Sequence, residues 1–152
     1  MRLATALAFG LLLSLVSETA AAQQVDPALH GTWTLDVARS SFGPDGGPTA
    51  GTVRWTEHGW VLALVFPGGY VYADAVITDH GCALIGISAD YSCSITPITP
   101  RHVRFTLRQA RMVRRVGDIE LVGSNTTRTT HRVTPTSGVP FTETTFWVRD
   151  RE

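Results

Sequence analysis

The segment YVYADAVIT, residues Tyr70 to Thr78, decides the fold class of this chain. Its small and aliphatic side chains recur at every second position: Val71, Ala73, Ala75 and Ile77. Successive side chains of a β-strand point to opposite faces of the sheet. The spacing therefore predicts a strand with one buried face and one polar face.

The same alternation continues in both directions from this segment. Short runs rich in valine, threonine and aromatic residues are separated by Gly, Pro and Asp, and the turns between them are short enough for hairpins. The predicted strands are 33–37, 52–57, 60–66, 70–78, 82–86, 91–96, 103–109, 112–122, 128–134 and 141–148. We therefore predict an all-β fold, an antiparallel up-and-down barrel of about eight to ten strands.

The first residues of the chain are typical of a secretory signal peptide. Arg2 precedes an apolar run from Leu3 to Val16, and small residues at positions 20–22 suit a cleavage site. We expect a signal peptide over residues 1–22 and one domain over residues 23–152, secreted or periplasmic. The apolar run is shorter than the roughly 20 residues of a transmembrane helix, so no membrane span is predicted.

The composition excludes several classes of function. The chain has 13 basic and 13 acidic residues, and a net charge of zero argues against a nucleic-acid-binding protein. Every basic side chain other than histidine is arginine. Lysine-dependent chemistry, such as Schiff-base formation, is therefore excluded.

The two cysteines, Cys82 and Cys93, indicate a disulfide, because an even pair in an exported chain is oxidised as a rule. A hairpin that turns near Ser88 would place these two residues opposite each other on neighbouring strands. It would also place Leu84 opposite Tyr91, so the predicted pairing is consistent along the hairpin.

A run of arginines in the second half of the chain has two interpretations. Their spacing of three and four residues fits a basic amphipathic helix: Arg101, Arg104, Arg108, Arg111 and Arg115. However, Pro100 precedes them, and Val103, Phe105 and Leu107 alternate between them as in a strand. We therefore predict strands that carry the arginines on the solvent face.

The phrases TEHGW, residues 56–60, and TDHGC, residues 78–82, repeat an acid followed by His-Gly. Turns of a meander alternate between its two ends, so four histidines are predicted to share one rim: His30, His58, His80 and His102. With Glu57 and Asp79 they would form a possible metal site. The other interpretation is that glycine simply permits a tight turn. Because no histidines have the close spacing of a specific metal motif, we favour the turns and predict no metal or cofactor.

The stretch HGTWTLDVARSSF, residues 30–42, resembles the opening of small secreted bacterial proteins with a lipocalin-like domain, G-T-W-x-L-[DN]-x-A-[KR]-S-x-F. The resemblance implies that Gly31 and Trp33 belong to the signature that closes one end of the barrel. It also implies that an arginine of a late strand, Arg132 or Arg149, stacks on the tryptophan. The R-x-Y carboxylate clamp of fatty-acid-binding proteins is absent, and most members of this bacterial group have no assigned activity.

A barrel closed at the tryptophan end would admit a ligand at its other end. The aromatic residues predicted near that mouth are Phe66, Tyr70, Tyr91 and Phe141. We therefore predict an exported protein that binds a small hydrophobic molecule. The alternative is a filled barrel that acts as an envelope or protein-interaction module, through the arginine-rich outer face or the outer face of the third strand. An enzyme ranks third, because no catalytic motif is present and the inward faces are mostly apolar; no catalytic residue is assigned.

Overall fold

The computed structural model describes residues 25–78, 81–86 and 88–151, so the predicted signal peptide lies outside the described residues. The described chain begins with a short 3₁₀ helix, Pro27–Leu29, and continues into ten strands. The strands are β1 (Gly31–Ser41), β2 (Ala50–Thr56), β3 (Gly59–Phe66), β4 (Gly69–Thr78), β5 (Gly81–Ile85), β6 (Tyr91–Thr99), β7 (His102–Gln109), β8 (Met112–Leu121), β9 (Thr126–Val133) and β10 (Phe141–Arg149).

Each strand pairs antiparallel with its neighbours in sequence, and β1 also pairs with β10. The sheet is therefore a closed up-and-down barrel, and the predicted fold class is confirmed. Closure satisfies the hydrogen-bonding groups of the first and last strands, which would otherwise be exposed edges. Over the part of the chain that the structure describes, no helix is long and apolar enough to cross a membrane.

The glycines of the two repeated phrases lie where a neighbouring strand passes very close. Gly59 and Gly81 have φ angles of 151° and 130°, which side-chain-bearing residues rarely adopt. A Cβ on Gly59 would overlap the carbonyl group of Ala75, and one on Gly81 would lie 2.6 Å from the carbonyl oxygen of Cys93. Glycine in each phrase is therefore explained by backbone geometry.

Large aromatic side chains fill the half of the barrel nearest to Trp33. The ring of Trp60 lies 6.2 Å from that of Trp55 and 5.9 Å from that of Phe105, in an edge-to-face arrangement with the latter. Trp60 belongs to β3 and Phe105 to β7, so these rings meet across the barrel. These rings therefore occupy the interior of the barrel at that level.

The same end of the barrel is sealed by the segment that precedes β1. Val25, Leu29 and Trp33 are all fully buried, and the indole Nε1 of Trp33 donates a hydrogen bond to the carbonyl oxygen of Leu29. Of the two arginines considered for stacking, Arg149 lies over the Trp33 ring. Arg132 is exposed and pairs with Val116 on the outer face.

A β-bulge in β8 changes which side chains face the interior. Arg108 pairs with Val113 but Leu107 pairs with Arg115, so Arg114 is an extra residue between the two pairs. Since side chains alternate, the extra residue turns Arg115 to the inner face, together with Leu107. The prediction that all five arginines of this run face solvent is therefore wrong for Arg115.

Candidate ligand-binding site in the barrel mouth

At the end of the barrel opposite Trp33, apolar side chains on the inner wall remain accessible to solvent, and we call this wall the mouth basin. Its members point inward and remain partly accessible: Leu64, Val71, Leu84, Tyr91 and Leu107. Val71 pairs with Leu64, which packs against the core, yet Val71 is 42% exposed. An inward-facing valine with that exposure shows that solvent enters the barrel at this level.

The four aromatics predicted at the mouth divide into two groups. Phe66, Tyr91 and Phe141 occupy positions on the inward side of their strands and are partly buried. Phe141 is covered by the β1–β2 loop, because a Cβ on Gly43 would overlap its ring. Tyr70 lies at the mouth end of β4 but is 81% exposed on the outer face, one residue out of phase with Val71, so its side chain does not line the basin.

Three polar side chains lie on the inner faces of the next three strands, β8 to β10, beside the basin residue Leu107, and we call them the mouth cluster: Arg115, His131 and Glu143. Arg115 reaches across β9, and its Nη1 lies 2.9 Å from Oε1 of Glu143. The arginine side chain is 35% exposed and the glutamate 11%, so the pair is accessible from the mouth mainly on its arginine side. The expectation of a mostly apolar interior therefore fails on this wall.

His131 lies directly between two other inward positions, because Gly117 pairs with it on one side and Glu143 on the other. The missing side chain of Gly117 makes room for the imidazole ring, since a Cβ there would lie 2.6 Å from Nδ1 of His131. That Nδ1 is buried and has no hydrogen-bond partner among the described residues.

The protonation state of His131 follows from its surroundings. Burial, helped by the positive charge of Arg115, lowers the pKa of His131 from 6.5 to about 3, and the carboxylate of Asp118 opposes this only weakly. The imidazole is therefore neutral at neutral pH. A neutral imidazole carries one donor and one acceptor nitrogen.

The mouth cluster could not be predicted from the sequence, because β9 and β10 do not show a clear alternation of apolar and polar residues. In β10, FTETTFWVR, apolar residues occur on both faces, and β9, TTRTTHRV, is polar throughout except for its final valine. A usable signal comes from the closure of the barrel. Leu35 of β1 is buried and pairs with Trp147 of β10, so Trp147 faces inward. Glu143 lies four residues earlier on the same strand and therefore also faces inward.

The contacts of the mouth cluster differ from the arrangement that activates a nucleophile. Nucleophilic catalysis needs a hydroxyl or thiol hydrogen-bonded to a base that is itself oriented by a third group. Nδ1 of His131 makes no such bond within the described chain, and Glu143 is held by Arg115.

The histidines considered as a metal rim serve separate local contacts. Nε2 of His30 lies 3.0 Å from the carbonyl oxygen of Val25, and Nε2 of His102 lies 3.0 Å from Oδ1 of Asp118. His58 is exposed in its turn, and His80 lies outside the described residues. Where the structure describes the chain, it brings together no group of three His, Cys, Asp or Glu side chains suited to a metal ion.

The predicted disulfide between Cys82 and Cys93 is present. The two residues pair directly on β5 and β6, with their Cα atoms 5.1 Å apart, and both are buried. The disulfide links the two strands of the hairpin that carries Leu84 and Tyr91 at the mouth side of the barrel.

Comparisons of this chain with protein-family models, with curated proteins and with solved structures found no match. The architecture, an all-antiparallel closed barrel, is compatible with the lipocalin-like fold that residues 30–42 resemble. The functional argument therefore depends on the geometry of the barrel itself.

Proposed function

We propose that this protein is an exported lipocalin-like binding protein that takes one small, largely apolar molecule in the mouth basin. Residues 1–22 have the pattern of a signal peptide, and the disulfide is consistent with an oxidising compartment. The ligand binds in the upper half of the barrel only, because aromatic rings fill the lower half.

The observation that carries the proposal is the exposure of inward-facing apolar side chains, above all Val71. A closed barrel can bury these side chains by packing them against each other, as it does around Trp60. At the mouth the inward-facing apolar side chains remain exposed to solvent. An apolar molecule bound over them would remove their surface from water. Open clefts with apolar walls and a few polar groups are the usual form of small-molecule sites.

A titration with Nile red, a neutral apolar dye, tests the site through two matched variants. Val71 and Val76 both lie on β4 and are 42% and 41% exposed, but only Val71 faces the basin. We expect Val71→Gln to weaken dye binding roughly tenfold through lost apolar contact, and Val76→Gln to leave it unchanged.

Equal binding by both variants, or no binding by the wild-type protein, would refute a site in the mouth. Native mass spectrometry of the protein purified from its export compartment supplies an independent test. A discrete extra mass that is lost on denaturation is the expected result.

A second candidate function is docking to a protein partner through the outer face of β3 to β5. Its exposed apolar side chains form one patch: Val65, Tyr70, Tyr72, Val76 and Ile85. The arginine-rich face is less suited to this, because Arg104 pairs with Asp118 and Arg128 with Glu120 across neighbouring strands.

Covalent cross-linking in the export compartment tests this second function. The double variant Tyr70→Ser/Tyr72→Ser should lose cross-linked products if the outer patch binds a partner, whereas Val71→Gln should retain them. If the double variant retains every product, the outer patch is not the interface.

A further inference from the structure

The wall of the barrel is interrupted beside the mouth end of β4. Residues Gly69 to Ala73 pair with β3, whereas β5, in the described chain, pairs only with Asp74 to Thr78. The strand β5 ends early because Gly86, which follows it, adopts a φ of 86°, a conformation that turns the chain out of a strand. Nearer the mouth, no described strand lies between β4 and β6, and we call this gap the wall notch.

The far side of the wall notch is held by contacts that lead away from β4. Within the described residues, β6 pairs with β7 along its length but with β5 only at Cys93. The carbonyl oxygen of Asp90, in the loop before β6, accepts a hydrogen bond from the amide of Ala110, and its carboxylate accepts one from Gln109. Both contacts fasten Asp90 to the end of β7, on the side away from β4.

The edge of β4 in the wall notch presents the backbone groups of Tyr70 and Tyr72. The amide of Ile77 donates a hydrogen bond to the carbonyl oxygen of His58, so the backbone groups of Ile77 point toward β3. Successive residues of a strand direct these groups to opposite sides, so those of Val71 also point toward β3. Those of Tyr70 and Tyr72 point into the wall notch, where no strand of the described chain pairs with them.

The sequence of this edge favours pairing with another strand. Natural proteins protect free edges with proline, bulges or charged side chains, and the segment GYVYA, residues 69–73, has none of these. Its valine and tyrosines have high strand propensity. Tyr70 and Tyr72 are 81% and 50% exposed on the outer face, and Val71 is 42% exposed on the inner face. The side chains of an added strand would therefore find apolar contacts on both faces.

The width of the wall notch decides what can occupy it. Neighbouring strands lie about 4.8 Å apart, so β4 and β6 are separated by the space of one strand, which β5 fills toward the Trp33 end. A second copy of the barrel would bring its own β3 beside its β4, and two strands are too wide for this space. A single extended peptide fits, and it runs antiparallel to β4 if it continues the direction of β5.

We propose that the wall notch binds a short extended segment of another exported protein, which adds to β4 through backbone hydrogen bonds to Tyr70 and Tyr72. In the antiparallel register, the segment's residue opposite Val71 points into the barrel, beside Leu84 and Tyr91. This residue is apolar, and its two neighbours lie against the tyrosines on the outer face. The inference goes beyond small-molecule binding and rests on the proposed function only for this central side chain, which enters the mouth basin.

A five-residue peptide tests the inference: acetyl-Ser-Thr-Leu-Thr-Ser-amide, with its leucine opposite Val71. In an NMR titration of the isotope-labelled wild-type protein, the amide signals of Tyr70 and Tyr72 should shift and their exchange with solvent should slow. N-methylation of both threonines removes two donors to β4 and should weaken binding at least tenfold. The isomer methylated on both serines is the matched control and should bind like the parent, because those amides point away from β4.

Two variants at one position separate the backbone edge from the tyrosine ring. Tyr70→Pro removes the amide donor in the wall notch and leaves the pairing with β3, because that amide faces away from β3. Tyr70→Ser removes the same ring but keeps the donor. We expect the peptide to bind several-fold more weakly to Tyr70→Pro than to Tyr70→Ser, and both variants to bind Nile red like the wild-type protein. The comparison of peptide isomers does not depend on how well either variant folds.

The outcomes distinguish this inference from the proposed function. If the two methylated isomers bind equally, or Nile red binds and the parent peptide does not, the mouth site stands and strand addition is wrong. If the peptide binds as expected and Nile red does not, strand addition stands without the small-molecule function; if neither binds, both are wrong. A free protein that self-associates, with the amides of Tyr70 and Tyr72 already protected, would make a second copy the occupant and overturn the inference.

Discussion

The guanidinium carbon of Arg149 lies 4.3 Å from the centroid of the Trp33 ring, which joins the last strand to the first beneath the barrel. The same guanidinium donates hydrogen bonds of 2.6 Å to the carbonyl oxygens of His30 and Ala28. One side chain thus connects β10, β1 and the 3₁₀ helix, at the end where the barrel is sealed.

We expect Arg149→Ala to lower the free energy of unfolding by about 3 kcal/mol, because it removes a desolvated cation–π contact and two charged hydrogen bonds. Arg149→Lys should recover only part of this, since an ammonium group cannot stack and donate to two carbonyls at once. Arg132→Ala is the control and should change stability by less than about 0.5 kcal/mol, because Arg132 is exposed. Urea unfolding followed by tryptophan fluorescence measures all three, and equal losses for Arg149 and Arg132 would contradict the closing role.

Reduction of the disulfide, or the double variant Cys82→Ser/Cys93→Ser, should destabilise the fold by roughly 3 kcal/mol, because the bond closes a loop in the unfolded chain. The separation of 11 residues places this loop among the shorter ones. Thermal unfolding with and without reductant checks the prediction. The double variant should be insensitive to reductant, and a wild-type protein that is equally insensitive would show that the bond adds no stability.

Gly117→Ala should destabilise the protein by about 1–3 kcal/mol, because the added methyl group must displace the ring of His131 in a packed interior. The matched control is Gly68→Ala, where a Cβ would meet nothing within 4 Å. Thermal unfolding of both variants gives the comparison. A neutral result for Gly117→Ala would show that the imidazole is free to move away from position 117.

The stability of the fold should fall as the pH is lowered from 6.5 to about 4, by up to about 1.4 kcal/mol per pH unit. The folded pKa of His131 is about 3, so the unfolded chain takes up a proton in this window while the folded chain does not. Asp118 acts at lower pH: partial burial tends to raise its pKa, but hydrogen bonds from Arg104 and His102 hold it below 3.8. Its contribution to stability is therefore lost only below that value.

Urea unfolding over this pH range checks the assignment to His131. His131→Phe should flatten the dependence between pH 6.5 and about 4, and His58→Phe should leave it as in the wild-type protein. An unchanged slope in His131→Phe would assign the effect to another group.

The strands and their order were accessible from local patterns. Alternation over Val71 to Ile77 predicts a half-buried strand, and glycines such as Gly59 and Gly81 mark where hairpins turn. Since each strand pairs with the next, a pattern of short range was enough to predict the barrel and the Cys82–Cys93 bond.

The same local patterns do not predict the mouth cluster. Arg115 faces inward only because of the bulge at Arg114, and a one-residue bulge leaves no clear mark in a run of arginines. Tyr70 was placed at the mouth because of its position along the chain, although its phase relative to Val71 directs it outward.

By itself, the sequence determined the class of fold, because side-chain alternation and turn glycines act between residues that are neighbours in the chain. Only the tertiary structure decided that Arg149 rather than Arg132 covers Trp33, and that His131 lies beside Glu143 at the mouth. Those relationships depend on the closure of β10 against β1 and on register across several strands. Register is a property of the whole sheet, since a shift of one residue moves every side chain to the opposite face.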